Sequence, residues 1–238
     1  MKNLALAFCS LRPANLDIKT NNLRELEYLC CLEQLYRVIP KNFDILICEN
    51  TIDNEEDIRN DDLRLFLQKN NTFFTGSVYN NFSNIGWGEL LMLYNSLKKF
   101  PTSRYKFISY ITARRIFTCP YVFEKTNTLK KNALISNPDF LYLDGKYLKK
   151  TGGLYNDMFF SMKRKFMIKY AHFAYEIIQK KKSFISYNLI RKKPAGSEQI
   201  LFEFIKKTKV SYEYLDWLGL VRCQTNDGKN NSKNFHIC

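Results

Sequence analysis

The sequence predicts a single α/β domain built on a mostly parallel sheet with helices on both faces. Near-continuous apolar runs of strand length recur through the first half, each followed by a segment with helical spacing. The 238 residues are enough to bury one substantial core and short for two full domains. Apolar residues make up 45% while Gly (9) and Pro (6) are sparse, which describes an ordered chain rather than a linker-rich one.

The elements follow in order. "NLALAFCS" (3–10) reads as a strand covered on both faces. In "NLRELEYLCCLEQLYRVIP" Asn22 offers a cap, Glu25 stands where a capping box places its acid, and Pro40 closes the helix. "FDILICENT" (43–51) is a second buried strand ending in Glu49, Asn50 and Thr51, and "DDLRLFLQKN" (61–70) a short helix with acids suited to its start. "TFFTGSVYN" supplies a short third strand, and "NIGWGELLMLYNSLKKF" (84–100) a turn at Gly86 and Gly88 that opens a helix. "YKFISYIT" (105–112) is the fourth strand, after which come two arginines, Arg114 and Arg115.

The second half is less regular. Short strands are expected around Pro138 in "ALISNPDFLYLDG" (133–145) and in "GGLYNDMFFSM" (152–162), which holds Asn156 and Asp157. An amphipathic helix follows at 163–182, then a helix at 197–207 with Ser197 as cap, then a strand and turn in "VSYEYLDWLGLVR". Residues 1–222 are taken as the domain and 223–238 as a polar, flexible tail.

Composition narrows the chemistry. Seven cysteines without a C-x-x-C pair read as small core residues in a reducing cytoplasm, and two histidines exclude a His-rich metal centre and make Cys-His or Ser-His catalysis a poor fit. No apolar run has the length of a membrane span, and the short run at the start lacks a signal-peptide cleavage pattern. The formal charge of +14 implies anionic company: nucleic acid, an acidic membrane face or phosphorylated substrates. In an open parallel sheet the ligand lies at the carboxyl ends of the strands, here Ser10 to Arg12, Glu49 to Thr51 and Thr112 to Arg115.

The order of "NLALAFCS", "FDILICEN", "NIGWGELLMLYNSL", "YKFISYIT" and "SEQILF" resembles the GT-A-fold glycosyltransferases, a Rossmann-like family, across residues 1–222. The "NDMFF" and "SEQ" segments are similar to those of capsule and lipopolysaccharide transferases of bacterial surface-polysaccharide synthesis. The resemblance implies a nucleotide-diphosphate sugar donor and a glycan or lipid-linked acceptor. It departs at "TARR", where the family has a metal-binding Asp-x-Asp. Paired guanidinium groups can stabilise a leaving diphosphate in place of a cation, so no cofactor is expected. The alternative is Mg²⁺ or Mn²⁺ held through Asp144, a residue whose place before glycine also suits a turn.

The donor-binding set so implied is Ser10, Arg12, Asn50, Asn84, Gly86, Thr112, Arg114, Arg115, Asp144 and Asn156. Glu198, at the start of a late helix, is the leading general base and Asp157 the second. The ordinary readings stand beside these: Glu198 as a helix-dipole acid, an arginine paired with Asp157 or another carboxylate, "NIGWG" as a tight loop. The lysines of 163–182 suit a solvated face or peripheral contact with anionic lipid at the inner side of the membrane. Nucleic acid is not the expected partner, since no recognised binding motif appears, though a basic nucleic-acid-binding protein is the rival function. A nucleotidyltransferase would share the sheet but ask for metal carboxylates.

Overall fold

The structure is a computed structural model that describes residues 2–14, 16–76, 85–136, 142–143, 146–147, 158–180, 187–188, 193–194, 196–215, 217–222 and 236–237. The first half alternates as β1 (Lys2–Cys9), α1 (Ile18–Val38), β2 (Phe43–Glu49), α2 (Asp61–Lys69), β3 (Thr72–Phe74), α3 (Ile85–Lys99) and β4 (Tyr105–Thr112). Then come β5 (Arg115–Phe117), α4 (Tyr121–Thr128), β6 (Ala133–Ser136), β7 (Tyr142–Leu143), β8 (Lys146–Tyr147), β9 (Phe159–Lys163) and α5 (Arg164–Lys180). The chain closes with β10 (Tyr187–Asn188), β11 (Lys193–Pro194), α6 (Ser197–Thr208), β12 (Tyr212–Leu215), β13 (Leu220–Arg222) and β14 (His236–Ile237).

Seven strands form the main sheet in the order β12-β6-β9-β4-β1-β2-β3. β1 runs parallel to β2 and β4, β2 to β3, and β12 to β6, while β9 lies antiparallel between β4 and β6. The mostly parallel α/β domain read from the sequence is the fold observed. Side chains alternate across the sheet with the period of two that a pleat imposes. Leu4, Leu6, Phe8, Ile108 and Tyr110 bury against the α3, α5 and α6 side. Ala5, Ala7, Ile45, Ile47, Phe107 and Ile111 bury against α1, α2 and α4. A small second sheet, β14-β13-β5, sits beside this layer.

Four local expectations change. α1 starts a turn earlier than its Asn22 pattern suggests, because Asp17 caps it, accepting from Thr20 N at 2.7 Å and Thr20 Oγ1 at 3.0 Å. Gly86 and Gly88 lie inside the first turns of α3 rather than in a turn before it. Ser197 is the first helical residue of α6, with Gly196 as the cap position and no side-chain capping bond. β5 and α4 stand where the sequence offered no element. Within the stretch taken as a tail, His236–Ile237 pairs antiparallel with β13.

Candidate active site

β2, β1 and β4 are parallel neighbours, so their carboxyl ends share one edge of the sheet, and the chain order reverses between β1 and β4. Such a switch point opens a crevice beyond the strand ends. α3 leads into β4 and α6 into β12, strands that begin at the opposite edge, so both helices start at the carboxyl edge. Ser10, Arg12, Asn50, Gly86, Thr112, Arg114, Arg115 and Glu198 therefore gather at one edge from six elements and their loops. Asn84, Asp144, Asn156 and Asp157 lie outside the described residues.

Ser10 and Asn50 meet directly: Ser10 Oγ donates to Asn50 Oδ1 at 2.8 Å. The Ser10 N–H donates to the Tyr28 hydroxyl at 3.0 Å, and its carbonyl accepts from Arg24 Nη2 at 2.7 Å. Every polar group of Ser10 is thus engaged, which makes it a positioning group rather than a nucleophile. Beside it, Glu49 is fully buried and accepts from the N–H of Leu11 at 3.1 Å, from the N–H of Thr51 at 2.6 Å and from the Thr51 hydroxyl. Its own carbonyl accepts from the N–H and hydroxyl of Thr75 at 2.8 and 2.9 Å, so one residue ties the exits of β1, β2 and β3 together. Burial raises the Glu49 carboxyl from 4.5 to about 7, against the opposing pull of those donors and of Arg24.

The arginines divide by role. Arg12 Nη1 pairs with Glu25 at 2.5 Å, and the other Glu25 oxygen accepts from the N–H groups of Arg59 (3.1 Å) and Asn60 (2.7 Å). Glu25 therefore anchors Arg12 and the approach to α2 instead of closing a capping box. Arg24 is buried, 5.7 Å from the centre of the Tyr28 ring. Burial pushes the Tyr28 phenol up to about 12, partly offset by Arg24 and Arg114. Arg114 Nε stands 3.8 Å from Glu27 of α1. Arg115 is 8% exposed, its Nε on Met158 Sδ at 3.1 Å and its Nη1 donating to the Arg114 carbonyl at 2.8 Å. Of the adjacent pair, Arg115 packs inward and Arg114 lies nearer the rim. A polar cavity of about 430 Å³ opens along this side, lined by Arg12, Glu56, Asp57, Ile58, Arg59 and Arg64.

On the opposite side, Glu89 in α3 accepts from the Tyr110 hydroxyl at 2.5 Å, at the end of β4. Glu198 stands in the first turn of α6, where an acid complements the helix dipole. A Cβ built on Gly196 would meet the Glu198 carboxylate at 2.7 Å, so glycine leaves that carboxylate room to fold back over the cap. Thr112 is half-buried at the last position of β4, its N–H donating to the Met158 carbonyl at 3.1 Å. Glu89 was not among the residues singled out from the sequence, and Glu49 was named there only as a strand end at the ligand edge, without a role. Nothing in local spacing marks Glu89, because its partner is 21 residues away.

The residues that follow β4 do not fit a divalent cation: Thr112 to Arg115 hold no carboxylate, and no group of three or more potential ligands occurs among the described residues.

No protein-family model matches the chain, and no curated protein matches it by sequence. Solved structures do. A 4-diphosphocytidyl-2C-methyl-D-erythritol synthase from Anaerococcus prevotii is similar with a TM-score of 0.53 at 13% identity, over 95% of this chain and 94% of that one. The apo form of mouse xyloside xylosyltransferase 1 is similar with a TM-score of 0.51 at 11% identity, over 91% and 86%. The likeness is one of architecture, and it gives this chain the GT-A-like fold of nucleotidyl- and glycosyltransferases.

Proposed function

We propose that this chain transfers a sugar from a nucleotide-diphosphate sugar to a hydroxyl of a surface-glycan or lipid-linked acceptor. The observation that carries the reading is the switch point between β1 and β4, where Ser10, Asn50, Arg12, Arg114 and Thr112 converge. The fold shared with a xylosyltransferase supports it. Arg114 serves the donor diphosphate, with Arg115 bracing its carbonyl from behind, and Arg12 extends the cationic rim. Ser10, Asn50, Thr112 and Gly86 border the donor, with Asn84, Asp144 and Asn156 completing the set drawn from sequence.

In the inverting version Glu198 takes the proton of the acceptor hydroxyl as that oxygen attacks the anomeric carbon, and the bond from that carbon to the diphosphate breaks. The nucleoside diphosphate leaves with its new charge against Arg114. Asp157 is the rival base drawn from sequence, and Glu89 is a third candidate carboxylate, near the same edge as Glu198.

The test is a thermal-shift panel of nucleotide-diphosphate sugars with and without EDTA. A true donor raises the melting temperature in step with RT ln(1 + [L]/Kd), and the rise is expected to survive chelation. Arg114→Ala should weaken that donor about ten- to a hundred-fold, the worth of a charged hydrogen bond of about 1.5 to 3 kcal/mol. No shift with any donor sinks the proposal, and loss on chelation returns the site to metal-dependent chemistry. Release of nucleoside diphosphate marks sugar transfer, whereas pyrophosphate release would mark a nucleotidyltransferase.

A further inference from the structure

Charge is distributed along the strand direction. At the amino edge, where parallel strands start and α3 and α6 end, exposed basic residues follow one another: Lys41 before β2, Lys106 in β4, Lys131 before β6, Lys165 opening α5, and Lys206 and Lys209 closing α6. The acids there are committed within the fold, Asp44 to Lys2 and Arg104, and Glu213 to the Lys130 N–H. At the carboxyl edge acids are interleaved with arginines instead: Asp53, Glu55, Glu56, Asp57, Asp61 and Asp62, between β2 and the first turn of α2, lie among Arg12, Arg59 and Arg64. Basic residues at helix ends complement the dipole, which accounts for Lys98, Lys99, Lys206 and Lys207 but not for Lys41, Lys106 or Lys131 at strand starts.

We propose that the amino edge is a docking surface for an anionic lipid membrane. The cations spread over a whole end of the molecule rather than along one helix or groove, which suits a planar anionic surface. The large exposed apolar side chains Ile18, Leu23, Leu26, Leu65, Tyr214 and Trp217 lie on α1, on α2 and on or beyond β12, not among these lysines. Among the described residues, none of these most exposed side chains therefore gives the edge a stacking platform of the kind single-stranded nucleic acid uses. Attraction is electrostatic, without insertion, and no helix among the described residues is long and apolar enough to cross the bilayer. The far end mixes acids with arginines, whereas the acids of the amino edge are committed, so the amino edge is the end that faces the lipid. That orientation holds the carboxyl edge away from the lipid by the length of β1, about 25 Å for a strand of that size.

The surface does not depend on the transferase reading, because vesicle binding is measured without donor and fails or succeeds separately. The protein should sediment with vesicles containing phosphatidylglycerol, ignore pure phosphatidylcholine, and be released by about 0.5 M salt as screening shortens the reach of charge. Neutralising Lys41→Gln, Lys131→Gln and Lys206→Gln together should weaken binding about a hundred-fold, roughly five-fold for each residue. The matching Lys→Arg set keeps the charge and should bind as the parent does. The two tryptophans report orientation, since Trp87 opens α3 and Trp217 lies beyond β12, both at the carboxyl edge. Their fluorescence should escape quenching by brominated lipid. The proposal is overturned by quenched tryptophans, by unchanged binding of the Gln set, by lost binding of the Arg set, or by duplex or single-stranded DNA binding more tightly than vesicles at equal salt.

Discussion

The two sides of the carboxyl edge treat charge in opposite ways. On the α1 side, cations are matched to buried acceptors: Arg12 to Glu25 and Arg24 to the Ser10 carbonyl. On the α3 side, Glu198 occupies the first turn of α6, and Glu89, in the second turn of α3, meets a phenol rather than a guanidinium. The first arrangement is a frame that fixes loops. The second leaves acids within the first two turns of helices, where proton chemistry can be placed. A frame should fail by unfolding and a reactive side by losing turnover, and that contrast can be broken experimentally.

The largest effect is expected at Glu198. Glu198→Gln should cut sugar transfer by about a hundred- to ten-thousand-fold while leaving nucleotide binding near normal, since an amide keeps the shape but cannot take the proton. Asp157→Asn and Glu89→Gln, assayed alongside, decide whether the base lies elsewhere. Should all three turn over normally, a single-carboxylate inverting mechanism is wrong. On the framing side, Glu25→Ala leaves Arg12 and two backbone N–H groups without their acceptor, and urea unfolding should show a loss of about 3 to 5 kcal/mol. A loss below about 1 kcal/mol would mean that this side is not a frame at all.

Glu49 gives the pH test. Its folded pKa is raised to about 7 from 4.5, so the native state holds a proton that the unfolded chain has already released between those values. Its contribution is fully present below about 4.5 and is lost as pH rises through about 7, roughly 3 kcal/mol for a shift of that size. Between about pH 4.5 and 7 the stability of the parent should fall more steeply with pH than that of Glu49→Gln; identical slopes for the two would refute it. Smallest is Tyr110→Phe, which removes one bond to Glu89 and should cost about 2 kcal/mol in the same unfolding assay. If it also lowers turnover beyond the effect of stability, Glu89 belongs to the reacting groups.

How much of this was legible depended on the range of the interaction. β4 was read residue for residue, 105–112, because a strand buried on both faces writes itself as an unbroken apolar run. The same local logic misplaced the start of α1. Asn22 and Glu25 have capping-box spacing, but Glu25 is drawn to Arg12, 13 residues back through a reversal of the chain. α4 went unseen because "YVFEKTNT" ends in residues with weak helix preference and is held by Val122 and Phe123 in the core. At the site, topology brought Ser10, Asn50 and Thr112 to one edge as the strand pattern implied. The pairing of Tyr110 with Glu89 and the inward turn of Arg115 arise only when separate elements pack, and no spacing along the chain encodes them.

The antiparallel β9 has a consequence for how the molecule assembles. It is made after β6 yet lies between β4 and β6, pairing Ile108 with Met162 and Ala133 with the same Met162. Until residues 159–163 arrive, β1 to β4 can close as a parallel unit, but β4 presents an open apolar edge, and β6 and β12 have no sheet to join. Pairing across about fifty residues is slow, because loop closure must precede the contacts that reward it. A nascent chain halted before β9 is therefore a sticky four-stranded intermediate. Folding should show its slow, aggregation-sensitive phase at the insertion of this one five-residue strand.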